Sequence, residues 1–141
     1  MVVRVRLRIR RGEKVCEAVA VANSGYEAPT PQLLIPKSTA KELGLWPPPP
    51  EAEEATYDTA GGPLRVWYIP RAARVTVVTE DYMPDEVVVD LVISLIADEP
   101  LISDTLIEAL QIAIEAAARG LWRFTWEPKE KLRQSEKPRR T

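Results

Sequence analysis

Histidine is absent from this chain, asparagine occurs once, at Asn23, and cysteine once, at Cys16. Each scarcity excludes chemistry. Without histidine there is no His-based triad, no imidazole general base and little means of building a zinc site. A lone cysteine forms no intramolecular disulfide, so a reducing, cytoplasmic setting is expected. No apolar run approaches the ~20 residues needed to span a bilayer, and the first ten residues alternate arginine with Val, Leu and Ile rather than forming a leader-type apolar stretch. The net charge of −2 gives no global attraction to nucleic acid or to an anionic membrane. Few amides beside 13 prolines are consistent with a heat-adapted source.

What is present is a β pattern. The 141 residues, 45% hydrophobic and 28% charged, suit one domain with a core, expected over residues 1–127. Val3, Val5, Leu7 and Ile9 alternate with Arg4, Arg6, Arg8 and Arg10, the period of a half-buried strand. Gly12-Glu13-Lys14 predicts a turn and Val15–Ala22 a second strand, so the pair makes a hairpin. Asn23-Ser24-Gly25 ends that strand. Leu33-Leu34-Ile35 is short and apolar, Ser38 is placed to cap a brief helix ended by Gly44, and Pro47–Pro50 is a stiff connector. Tyr57–Gly62 and Leu64–Ile69 predict a hairpin with a Gly-Gly tip, with further strands over Arg74–Thr79 and Val87–Ile96. Ile102–Leu110 has helical spacing, and Leu121–Trp126 is an aromatic strand. For Ile112–Ala118 the apolar spacing admits a strand while Ala116-Ala117-Ala118 favours helix. From residue 128 to 141 the chain is polar and charged, and a disordered tail is expected. There is no alternating βαβ rhythm, which argues against a parallel doubly wound sheet.

The ordered set of segments over residues 2–126 resembles the retropepsin-like aspartic proteases, in particular their small archaeal and bacterial single-domain members. A β-hairpin runs into Ala20-Val21-Ala22-Asn23-Ser24-Gly25, where that family has two apolar residues and Asp-Thr/Ser-Gly. An apolar run and a helix ending in Leu43-Gly44 follow. A glycine-tipped flap hairpin is matched by Tyr57, Asp58, Thr59, Ala60, Gly61 and Gly62, and an apolar pair entering a helix by Leu101-Ile102-Ser103-Asp104. Gly120–Phe124 fits the closing strand. The resemblance implies an all-β fold, a small closed barrel of the acid-protease type with one short C-terminal helix. It also implies a homodimer, because one chain carries a single candidate catalytic loop. There are two departures: Asn23 stands where the family has aspartate, and Ser103 where it has glycine.

In that family two aspartates meet across the dimer axis, too close for both to ionise, so they share a proton. One activates a water and the other donates to the scissile carbonyl, with no cofactor, metal or histidine. The resemblance thus assigns Asn23, Ser24 and Gly25 to the catalytic loop and Tyr57–Gly62 to the flap over an extended peptide substrate. An asparagine has no proton equilibrium near neutral pH and cannot serve as the base. The expected activity is therefore that of an aspartic endopeptidase scaffold, inactive or nearly so. The alternative is a non-catalytic peptide-binding or assembly module using the same groove. Asn23 is compatible with a natural pseudoprotease, an inactivating replacement of Asp, or a deamidation-prone site.

Other candidates have plainer readings. Asp58-Thr59-Ala60 mimics a second catalytic triplet but lies at a predicted hairpin tip. Asp90, inside an apolar run, is either a buried carboxylate with a raised pKa or a side chain pointing outward from an edge, the reading preferred from the sequence. Arg4, Arg6, Arg8 and Arg10 offer a nucleic-acid stripe, but a solvated strand face paired with acidic neighbours is preferred, and neither nucleic acid nor membrane is expected as a partner. Cys16 is expected to be a small core residue, and Trp122, Phe124 and Trp126 to share one strand face for packing.

Overall fold

The computed structural model describes residues 2–22 and 25–138. Strands β1 (Arg4–Arg11) and β2 (Lys14–Val21) form the expected hairpin, paired from Arg4↔Val21 to Arg11↔Lys14. Gly12, at φ +59°, supplies the left-handed position that a two-residue connection needs. Then follow β3 (Gln32–Pro36), helix α1 (Lys37–Glu42), β4 (Glu53–Thr59), β5 (Gly62–Val77), β6 (Val87–Ser94), β7 (Leu101–Ile102), helix α2 (Asp104–Ala109), β8 (Ile112–Ala116), β9 (Leu121–Phe124) and β10 (Arg133–Gln134).

The main sheet runs β1-β2-β7-β3-β6-β5-β4 and closes on itself where β1 pairs with β5, from Leu7↔Val77 to Arg10↔Arg74. The all-β closed barrel expected from the sequence is thus formed by six strands, with β4 appended as the outer arm of the β4–β5 hairpin. Closure removes most of the exposed sheet edge. The inward residues fill the lumen: Leu7, Ile9, Leu33, Ile35, Ile69, Leu91, Ile93 and Ile102 are all within 1% of full burial. The alternation in β1 has the consequence read from the sequence, because its arginines face outward and meet Glu99, Glu136, Glu17 and Glu86. Among the described residues no helix is long and apolar enough to cross a membrane.

Several local expectations change. The strands foreseen at Leu64–Ile69 and Arg74–Thr79 are one 16-residue strand, β5, interrupted by a register shift between Ile69 and Ala73 where Arg71 adopts φ +47°. Ser38 does not cap α1. Pro36 holds the cap position, and the buried Ser38 hydroxyl has no hydrogen-bond partner. The second helix contracts to six residues and stops before Gln111 at φ +60°. Residues 112–116 are strand despite the alanines, because β8 pairs with β9 through Ile112↔Phe124 and Ile114↔Trp122, and this pairing outweighs local propensity. Of the aromatic row, Trp122 and Phe124 are buried, whereas Trp126 is 51% exposed and stacks on Phe124.

The stretch from 128, expected to be disordered, is tied down as far as Glu136. Strand β10 pairs with β9, the Ser135 N–H donates to the Gly120 carbonyl at 2.7 Å, and the Glu136 N–H donates to the Arg4 carbonyl at 2.8 Å. Arg133 makes a two-pronged contact with the buried Glu127 carboxylate at 2.9 and 2.6 Å. A buried carboxylate requires such a cation, and composition alone did not reveal the partnership. Residues 139–141 of that predicted tail lie outside the described residues.

Candidate functional site

Asn23 and Ser24 lie outside the described residues, and Ala22 and Gly25 flank them. The chain reaches this point on β2, whose last residue Val21 pairs in parallel with Leu101 of β7. Ala22 is fully buried and its N–H donates to the Val3 carbonyl at 2.8 Å. Gly25 is exposed at φ +77°, a conformation that disfavours any side chain. The following segment is fastened to the start of α2. The Asp104 N–H donates to the Tyr26 carbonyl at 2.8 Å, the Ala28 N–H to the Asp104 carboxylate at 3.0 Å, and the Thr105 hydroxyl to the Thr30 carbonyl at 2.6 Å.

Opposite stands the β4–β5 hairpin, turning at Ala60-Gly61. The Thr59 hydroxyl accepts the Gly61 N–H at 3.2 Å and donates to the Gly62 carbonyl at 2.6 Å, which closes the tip around Gly62 at φ +108°. Between loop and hairpin lies a groove of about 1130 Å³. Of the residues predicted for the site, Gly25, Tyr57, Asp58, Thr59 and Ala60 line this groove, while Gly61 and Gly62 build the turn beyond it.

The floor rests on a hydrogen-bond chain that sequence reasoning missed. Tyr26 and Tyr57, with ring centres 6.5 Å apart, both donate to the Gln32 side-chain oxygen, at 2.5 and 3.2 Å. The Gln32 amide nitrogen donates to the Thr30 hydroxyl at 3.2 Å, and that hydroxyl donates to Asp90 at 2.6 Å. Asp90 also receives the Tyr68 hydroxyl at 2.6 Å and the Arg71 N–H at 2.7 Å. Every proton in the chain points toward the carboxylate. The anion therefore orients the Gln32 amide so that its oxygen faces the two tyrosines.

This corrects the outward placement of Asp90. Its side chain is buried on β6 and clamps the β5 bulge. Nor is its pKa raised. Burial pushes it up, but the Arg71 N–H and the Thr30 and Tyr68 hydroxyls outweigh burial and hold it below the ordinary carboxylate value. The signal available in the sequence was a lone acid inside an apolar run, which is tolerated only if its oxygens are satisfied. The tyrosines shift the other way. Burial, then the neighbouring Tyr57 and Asp90, raises Tyr26; burial raises Tyr57; burial and the bond to Asp90 push Tyr68 up to about 12. All three remain neutral donors across the physiological range.

Ser103, a departure from the resembled pattern, has a structural task. Its buried hydroxyl accepts the Leu106 N–H at 3.1 Å, capping α2, and the Gln32 N–H at 3.0 Å. The side chain thus fixes the backbone of the residue that carries the tyrosine pair. The charged groups on the groove wall are Glu27, Glu53 and Asp58, and no lysine or arginine lines it. Among the described residues no group of three or more His, Cys, Asp or Glu side chains is arranged to hold a metal ion. The described groove therefore offers hydroxyl donors, carboxylates and apolar surface for binding. No protein-family model matches the chain, and no curated protein matches it.

Proposed function

We propose that the chain is a retropepsin-like aspartic endopeptidase scaffold that binds an extended peptide and, with Asn23 in place, hydrolyses it little or not at all. The observation that carries this reading is the meeting of Gly25 and the hairpin residues Tyr57–Ala60 around one groove on a closed six-strand barrel. A loop from the β2 end and a glycine-tipped hairpin facing it are the two parts that peptide hydrolysis by a paired-carboxylate mechanism requires. In the proposed homodimer a second copy brings its own loop to a two-fold axis. Aspartate at both positions would share one proton, activate water on one carboxylate and donate to the scissile carbonyl from the other. Asparagine keeps the hydrogen-bonding shape and removes both functions.

The test is Asn23→Asp, assayed on an unfolded protein substrate at mildly acidic pH, with sedimentation velocity on the same sample. Cleavage by a dimer that the Asn23 protein lacks supports the reading. A monomer with no cleavage refutes it. The second reading, a non-catalytic peptide-binding or assembly module, is favoured by Asn23 itself; a dimer that binds peptide but stays silent after Asn23→Asp would establish it.

A further inference from the structure

We propose that the groove selects cationic extended segments, taking a peptide whose lysine or arginine side chains reach Glu27, Glu53 and Asp58; the inference rests on the peptide-groove reading above. The chain has 19 lysines and arginines against 21 acids, yet none of those cations lines the groove. Elsewhere on the surface several charges are paired, among them the arginines of β1 and the Lys131–Asp81 and Arg123–Glu115 contacts. Glu27, Glu53 and Asp58 are exposed, and no ion pair engages them among the described residues. A wall of one sign, left unneutralised, favours a ligand of the other sign.

The rest of the groove suits the same occupant. Leu34, Leu64 and Leu101 supply apolar surface, and Tyr26, Tyr57 and Tyr68 supply ring surface. Lysine and arginine lay their aliphatic stems on such surface while their heads seek carboxylates. Strand β4 pairs only with β5 and forms the end of the sheet, so its outer edge can add a further strand. Glu53 and Asp58 stand five residues apart on β4, about 17 Å along an extended backbone, an odd spacing that turns their side chains to opposite faces of the strand. A peptide pairing along that edge meets both acids when its basic residues are five positions apart, on alternate faces of the added strand.

The experiment measures fluorescence anisotropy of three labelled decapeptides. They share the same apolar residues and carry Lys, Gln or Glu at two positions five apart. The expected result at low salt is that the Lys peptide binds about tenfold tighter than the Gln peptide, the scale that a few exposed charge pairs supply together. That ratio should collapse at ~0.5 M salt and in the triple variant Glu27→Gln, Glu53→Gln, Asp58→Asn. The three side chains are exposed, so an unchanged melting temperature verifies the fold. Glu53→Lys alone should weaken the Lys peptide and strengthen the Glu peptide. Equal affinity for the Lys and Glu peptides, or a preference that survives the triple substitution, overturns the charge selection and leaves the groove reading standing. Failure of all three peptides to bind overturns both.

Discussion

Replacing Asp90 with alanine removes the acceptor on which the Thr30 hydroxyl, the Tyr68 hydroxyl and the Arg71 N–H converge, at 2.6, 2.6 and 2.7 Å. A hydrogen bond to a charged acceptor contributes about 1.5–3 kcal/mol. The three do not simply add, since Thr30 is exposed and Tyr68 half-buried, so both hydroxyls can turn to water. The Arg71 N–H, held at a bulge with φ +47°, has less freedom. Deleting a buried charge also recovers its desolvation penalty. The net loss for Asp90→Ala is then about 2–4 kcal/mol, and about 1–2 kcal/mol for Asp90→Asn, which keeps the shape and one carbonyl acceptor. Urea denaturation at pH 7 measures both, and a loss below ~0.5 kcal/mol for the alanine variant would refute the clamp. The pH dependence has a definite sign. The folded carboxylate sits below its ordinary value. Its contribution is therefore complete above the unfolded-state pKa of about 3.9 and disappears as pH falls through the lower folded value. The gap between the native chain and Asp90→Asn should be constant from pH 7 to about 5 and narrow below about pH 4. A gap that persists to pH 2.5 would show that ionisation is not its source.

Ser103→Ala orphans the buried Leu106 and Gln32 N–H groups and should destabilise the chain by about 2–3 kcal/mol in the same titration; a loss under 0.5 kcal/mol would mean that other acceptors replace the hydroxyl. Removing residues 128–141 takes Arg133 from Glu127, whose carboxyl the Arg133 hydrogen bonds hold down at about 2. An uncompensated buried carboxylate should cost about 3 kcal/mol or more, read as a fall in Tm that Glu127→Gln partly restores. A truncated chain that melts like the intact one contradicts the ion pair. Cys16 has its thiol pushed up to about 11 by burial and by nearby Glu42. Alkylation should thus be slow at pH 8, with about one thiol in a thousand ionised, and rise roughly tenfold per pH unit toward pH 10; rapid modification at pH 8 would contradict that environment.

Much of the local structure was legible because β patterning is a short-range code. Alternation named β1 and its charged face, Gly12 and Gly61-Gly62 named two hairpin turns, and the aromatic row named β9. Legibility ended where a residue's state depends on a distant partner. Residues 112–116 carry helix-favouring alanines, yet β9 recruits them as a strand. Asp90 looked like an outward-facing acid because its partners, Thr30, Tyr68 and Arg71, lie 60, 22 and 19 residues away. Of the candidate site, the hairpin and Gly25 were foreseen, while Tyr26, Gln32 and Tyr68 were not, since single polar residues in mixed segments carry no periodic signal.

Alone, the amino-acid order determined an all-β chain, the hairpins, the absence of imidazole chemistry and a single asparagine, at position 23, because each follows from side-chain type and nearest neighbours. The tertiary structure decided that β1 closes onto β5 through Leu7↔Val77, that the tail binds back through Arg133, and that residues near 25 and near 57 share one acidic groove. Those outcomes depend on which hydrophobic faces are buried together when the barrel closes, and that is a property of the whole packed chain rather than of any segment.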